Sequence, residues 1–177
     1  MDKANALYKS SLDYIGENGH FIDYDQAFRL NAQAAAMGLP DAILAMGWFY
    51  FNGLGTSPDL RCAERWYRRS ARLGEPRAMF SLGHIACEER LFEAAHRWFE
   101  LARKHGHIRS LYWLGKLCWR GQGVPQDRVK ATRFFEQAAR ANDSEAMRLM
   151  RFRNRRTYIP DSEAVHQPKR HCRSQRS

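Results

Sequence analysis

Residues 42–74 read AILAMGWFYFNGLGTSPDLRCAERWYRRSARLG, and residues 110–142 read SLYWLGKLCWRGQGVPQDRVKATRFFEQAARAN. Set one above the other without a gap, they place Gly47 on Gly115, Gly53-Leu54-Gly55 on Gly121-Gln122-Gly123, Asp59 on Asp127 and Ala63 on Ala131. They then place Trp66-Tyr67 on Phe134-Phe135 and Gly74 on Asn142. Self-similarity of this kind marks a stack of like units, each too small to bury its own apolar face, so it decides the architecture before any single element does.

Working outward, a small residue opens a unit at Ala6, Ala42, Ala78, Ser110 and Ala146, with separations of 36, 36, 32 and 36 residues. A second small residue, Ala27, Ala63, Ala95 or Ala131, lies 21 positions on, except in the third unit, where it lies 17 on. A four-residue deletion there explains the shorter period. From this second residue the units run in parallel: Leu30, Trp66, Trp98 and Phe134 at +3; Asn31, Tyr67, Phe99 and Phe135 at +4; Ala34, Ser70, Ala102 and Ala138 at +7; Gly38, Gly74, Gly106 and Asn142 at +11. Spacings of 3, 4, 7 and 11 share one stripe of an α-helix, and the closing Gly or Asn suits a left-handed C-cap. This is the second helix, B, of each unit. The first, A, carries Met46-Gly47, Leu82-Gly83 and Leu114-Gly115, with Tyr14, Tyr50, Ala86 and Cys118 three residues beyond those glycines or their equivalents. A glycine inside a helix costs about 1 kcal/mol relative to alanine, so its recurrence at one place predicts close approach of another helix.

Between the helices of units two and four, Gly53-Leu54-Gly55 and Gly121-Gln122-Gly123 read as turns, followed by Asp59 and Asp127 as caps of helix B. A GxG can also cradle phosphate, but no strand precedes these, so the turn reading holds. The expectation is an all-α solenoid over residues 1–157, with repeats at about 6–41, 42–77, 78–109 and 110–145 and a capping half-repeat at 146–157, followed by a basic flexible tail at 158–177.

Helix pairs of about 36 residues in which a small residue, [LM]-G, GxG, Asp, Ala, a paired aromatic and a closing Gly recur in this order resemble Sel1-like repeats. The resemblance covers nearly residues 6 to 150 and is fullest in units two and four. Units one and three depart from it: Ser11 and Glu17 stand where glycine is usual, and the third unit lacks the GxG turn, so its turn at Glu88, Glu89 and Arg90 must be tighter. The resemblance implies stacked helical hairpins in a right-handed superhelix related to tetratricopeptide arrays, with A helices lining the concave face, and the role of an adaptor that assembles protein complexes. The regular cysteine pairs of a secreted subgroup are missing here.

Charge is uneven. Residues 1–60 hold 3 Lys/Arg against 7 Asp/Glu, leaving 26 against 12 in the remainder of a chain whose formal net charge is +10. The N-terminus lacks the apolar core of a secretory signal, no stretch approaches a membrane span, and Cys62, Cys87, Cys118 and Cys172 form no CxxC, so a cytoplasmic location with reduced thiols is expected and no membrane partner. Neither a nucleophile motif, a metal cluster nor paired carboxylates stand out, so no catalytic residue, metal or cofactor is expected.

Counted from the leading small residue, positions +3, +6 and +10 of helix A fall opposite its core arc. This stripe supplies the candidate partner-binding residues Trp48, Asn52, His84, Glu88, Trp113, Lys116 and Arg120, with Trp48 and Trp113 as anchors, because Trp and Arg are enriched at interface hot spots. His84 and Glu88 form an i, i+4 pair with no third ligand at matching spacing. His105 and His107 read as a solvated turn. The leading function is therefore a scaffold binding another protein or peptide in the concave groove. The alternative is nucleic-acid binding through Arg61, Arg65, Arg68, Arg69 and Arg72, with Arg148, Arg151, Arg153, Arg155 and Arg156 as a second basic cluster.

Overall fold

The computed structural model of the chain describes residues 2–16 and 22–153, and every regular element among them is an α-helix. In order these are α1 (Asp2–Asp13), α2 (Tyr24–Ala36), α3 (Pro40–Asn52), α4 (Leu60–Arg72), α5 (Pro76–Glu88), α6 (Phe92–Lys104), α7 (Arg109–Arg120), α8 (Arg128–Arg140) and α9 (Ser144–Arg153). Odd-numbered helices are the A helices and even-numbered ones the B helices. Each packs on the helix before and the helix after it, which is an α-solenoid, as the repeat implies.

The A helices begin slightly ahead of the small residues that open the units. Pro40 and Pro76 take the first helical position of α3 and α5, where a missing N–H leaves no bond unmade and the fixed φ suits the helix. The small residues themselves face the preceding B helix: Ala42, Ala78, Ser110 and Ala146 are buried, and the carbonyl of Ala42 accepts a hydrogen bond from Asn31 Nδ2 at 3.0 Å. Ala6 is exposed, with no B helix ahead of α1 among the described residues. Left-handed residues end the B helices as the pattern requires, with φ of 86° at Gly38, 87° at Gly74, 88° at Gly106 and 64° at Asn142.

Three of the four B helices start on an aspartate whose carboxylate accepts a backbone N–H: Asp23 from Gln26 at 3.0 Å, Asp59 from Cys62 at 2.9 Å and Asp127 from Lys130 at 2.8 Å. The third unit has Leu91 at this place, with no side-chain cap. Its turn runs only from residue 89 to 91, and Arg90 takes a left-handed φ of 60° to close it. One bond survives the deletion. In all four units the N–H that opens helix B donates to the same carbonyl of helix A: Asp23 to Tyr14 at 2.9 Å, Asp59 to Tyr50 at 2.9 Å, Leu91 to Ala86 at 2.8 Å and Asp127 to Cys118 at 2.9 Å.

The longer turns do more than reverse the chain. A β-carbon on Gly55 would meet the Tyr24 carbonyl at the start of α2, and one on Gly123 would meet the backbone of Phe92 and Glu93 at the start of α6. Each GxG turn thus presses on the first residue of the B helix one unit back. The third unit has no such turn, and the residue it would cover, Leu60, is 41% exposed, whereas Tyr24 and Phe92 are half-buried.

The glycines inside the A helices mark the predicted close approach. A β-carbon on Gly47, Gly83 or Gly115 would lie 2.5 Å from a ring atom of Tyr67, Phe99 or Phe135 respectively. Side chains of neighbouring A helices also touch one another: Arg77 of α5 pairs with Asp41 of α3 at 3.3 Å, and the ring centroids of His84 on α5 and Trp113 on α7 are 4.2 Å apart. The side on which these A-helix contacts lie corresponds to the one that the repeat resemblance makes the inner side, and takes that name.

Candidate functional site

The inner side is built from the A-helix stripe. Trp48 is 39% exposed, its ring edge-on to Phe49 at 5.4 Å, and Asn52 one turn later donates its amide to the Trp48 carbonyl at 2.9 Å. Glu88 and Arg120 are exposed, whereas His84, Trp113 and Lys116 are half-buried. Trp113 is packed among neighbouring side chains. Its ring stacks on Phe99 at 5.7 Å, takes His84 against it, and is covered by the Lys116 ammonium at 4.2 Å.

Around that ring the structure assembles a cluster that the repeat register does not announce. Phe80 lies 4.9 Å from His84 and 5.6 Å from Phe99, and His107 stacks on Phe80 at 4.3 Å. His107 is thus half-buried rather than part of a solvated turn, while His105 beside it is exposed. The signal for it was available. Leu39, Glu75, His107 and Asp143 occupy one row just before successive A helices, and three of them serve the helix that follows. Glu75 accepts the Arg77 N–H at 3.1 Å, Asp143 accepts the Ala146 N–H at 2.9 Å, and His107 Nδ1 shares a hydrogen bond with the Ser110 hydroxyl at 3.0 Å.

Burial pulls the His84 pKa down to about 4, with the cations Arg109 and Lys116 and the neighbouring His107 acting in the same direction. Burial lowers His107 as well, helped by Arg109. Both imidazoles are therefore neutral near pH 7. No three groups of ligating type come together for a metal among the described residues. The Cys87 thiol is pushed up to about 11 by burial and remains protonated.

The predicted basic residues lie on the outer side. Arg61, Arg65, Arg68, Arg69 and Arg72 are exposed along α4. Several are engaged locally: Arg68 pairs with Glu64 at 2.7 Å, Arg69 lies over Trp66 at 5.4 Å, and Arg65 donates to Cys62 Sγ at 3.0 Å. Arg148 pairs with Glu145 at 2.9 Å, and Arg151 is exposed. Arg153 ends α9; Arg155, Arg156 and the tail at 158–177 lie outside the described residues. Trp66, Trp98 and Trp119 pack against the core, as their place in the repeat implies. Among the described residues, no helix is long and apolar enough to cross a membrane.

Among solved structures, a Sel1 repeat protein from Oxalobacter formigenes superposes with a TM-score of 0.77 at 24% identity, over 83% of this chain and 62% of that one. A protective antigen of uropathogenic Escherichia coli with an SLR fold gives a TM-score of 0.73 at 25% identity, over 81% of this chain and 32% of that one. A curated relative, an uncharacterised protein of Neisseria meningitidis serogroup B, is 27% identical over 70% of this chain and 34% of its own length. The chain thus spans about a third of that relative and under two thirds of either structure. Proteins built from such repeats generally mediate contacts between proteins, and the fold is typically a non-catalytic scaffold. The Sel1 repeat pattern matches residues 4–39, 40–75, 76–107 and 108–143, beginning two residues ahead of each small-residue start and reproducing the short third unit, so the chain belongs to the Sel1 repeat family.

Proposed function

We propose that the chain is an interaction scaffold of the cytoplasm whose concave inner face, formed by α3, α5 and α7, holds a segment of another protein and performs no covalent chemistry itself. Trp48 carries this reading. A large ring left 39% exposed on the inner side of a packed stack offers apolar area and a rigid shape to an incoming chain. Its neighbours along the stripe, Asn52, Glu88 and Arg120, supply the polar rim that such a contact uses. The free thiols of Cys62, Cys87 and Cys118 fit a reducing compartment.

The test is affinity capture from the native host with the wild type and with Trp48→Ala/Arg120→Glu, each checked for helical content by circular dichroism. The variant loses partners that the wild type retains. A folded variant with an unchanged partner set would end the assignment.

A further inference from the structure

The inner stripe changes character along the stack. On α3 it runs Asp41, Ala45, Trp48, Asn52; on α5, Arg77, Ser81, His84, Glu88; on α7, Arg109, Trp113, Lys116, Arg120. Asp41 and Arg77 pair with each other, and Glu75 sets a second carboxylate on Arg77 at 2.7 Å. On α7 the spacing keeps three cations on one side of the helix around a single tryptophan. Arg109 and Arg120 are exposed and form no ion pair with any described residue. Lys116 is drawn over Trp113. The excess positive charge is felt one helix away, where Arg109 and Lys116 add to burial in disfavouring protonation of His84.

We propose that the α7 stripe is the docking site for an acidic segment of a partner protein, with carboxylates on Arg109 and Arg120 and an apolar side chain between them beside Trp113. The proposal rests on the inner-face reading above and adds the charge of the partner. The stripe extends about 16 Å at 1.5 Å per residue, the length of roughly five residues of extended chain. Charge complementarity of this kind steers encounter and selects partners more than it adds affinity. Protein fits better than a phosphate backbone. The outer arginines, which a polyphosphate would have to track, are interleaved with Glu64, Glu93, Glu100 and Glu136, and Arg68 and Arg103 are already paired.

The experiment is fluorescence anisotropy on the full chain with a fluorescein-labelled peptide, Asp and Glu throughout save one central Phe. The acidic peptide binds saturably and weakens as salt rises from about 50 to about 300 mM. Arg109→Glu/Arg120→Glu weakens it about tenfold or more, while Arg61→Glu/Arg72→Glu on the outer side changes it less than about twofold. Equal binding of a Lys-for-Glu peptide, equal loss on outer reversal, or stronger binding of single-stranded DNA or anionic vesicles than of the peptide would overturn the proposal. So would failure of the peptide to bind. If that failure comes while Trp48→Ala/Arg120→Glu still loses its captured partners, the inner-face reading stands and only the acidic partner is lost.

Discussion

Gly83 turns its bare α-carbon to the ring of Phe99, so closely that a β-carbon in place of its α-hydrogen would sit 2.5 Å from Cε1. The same geometry joins Gly47 to Tyr67 and Gly115 to Phe135, so the second, third and fourth hairpins are each closed by a ring against bare backbone. Alanine is the better helix former by about 1 kcal/mol, yet here the steric conflict decides. Gly83→Ala is expected to destabilise the protein by about 1–3 kcal/mol, the usual cost of overpacking, read as a lower urea midpoint. Gly83→Ala/Phe99→Leu should recover part of the loss, because the smaller side chain makes room for the methyl.

Unit one solves the same problem with a different pair. Ser11 stands where glycine is usual, and the facing position holds buried Asn31 instead of a ring. Asn31 reaches the Ala42 carbonyl through Nδ2, but its Oδ1 has no partner. Asn31→Phe alone should destabilise by crowding Ser11, whereas Ser11→Gly/Asn31→Phe restores the pair found in units three and four. A double-mutant cycle by urea denaturation is expected to give a favourable coupling of about 1 kcal/mol or more. Additive effects would show that the two positions do not share one space.

The neutral His84 gives stability a definite pH dependence. In the unfolded chain an imidazole takes its proton near pH 6.5; in the fold this one holds out to about 4. Between those values the unfolded state binds more protons, so stability is full above pH 6.5, falls on acidification and levels off near pH 4 for this group. The contribution is about 3 kcal/mol at most, with His107 adding in the same sense. His84→Phe should flatten that part of the profile relative to the wild type, measured as the urea midpoint against pH.

The uncapped start of α6 offers a stabilising change. Leu91 is 55% exposed and stands where Asp23, Asp59 and Asp127 cap the other B helices. Leu91→Asp is expected to raise stability by about 0.5–1 kcal/mol, since a new carboxylate–amide bond forms and little buried apolar surface is lost. A lowered thermal midpoint would mean that the tight turn at Arg90 holds residue 91 away from the capping geometry.

Much of this was legible in the sequence because a repeat states the same packing problem several times. Glycine at one register and an aromatic at another, read across three units, pointed to a close approach that one unit alone would have hidden. The caps Asp59 and Asp127 and the left-handed Gly38, Gly74, Gly106 and Asn142 followed from turn chemistry that is local and strongly preferred. What sequence could not supply was contact between units. Position within a helix put Trp113 on the inner stripe, but whether its ring is open depended on Phe99, His84 and Lys116 arriving from other positions. His107 was missed for a related reason: beside a helix-ending glycine it looks like a turn residue, and only the neighbouring helix provides the ring on which it stacks.

The missing turn of the third unit has a mechanical side. Where Gly55 and Gly123 bear on the start of a B helix one layer back, they act as spacers between two storeys along one edge. Between the second storey and the third no spacer stands, and Leu60 faces solvent at the gap. The bond from Leu91 N–H to the Ala86 carbonyl keeps the third hairpin itself intact, so what the deletion removes is a brace between storeys and not one within a hairpin. The middle joint is left to helix packing and the Asp41–Arg77 pair, with Trp48 on one side of it and the α7 cations on the other.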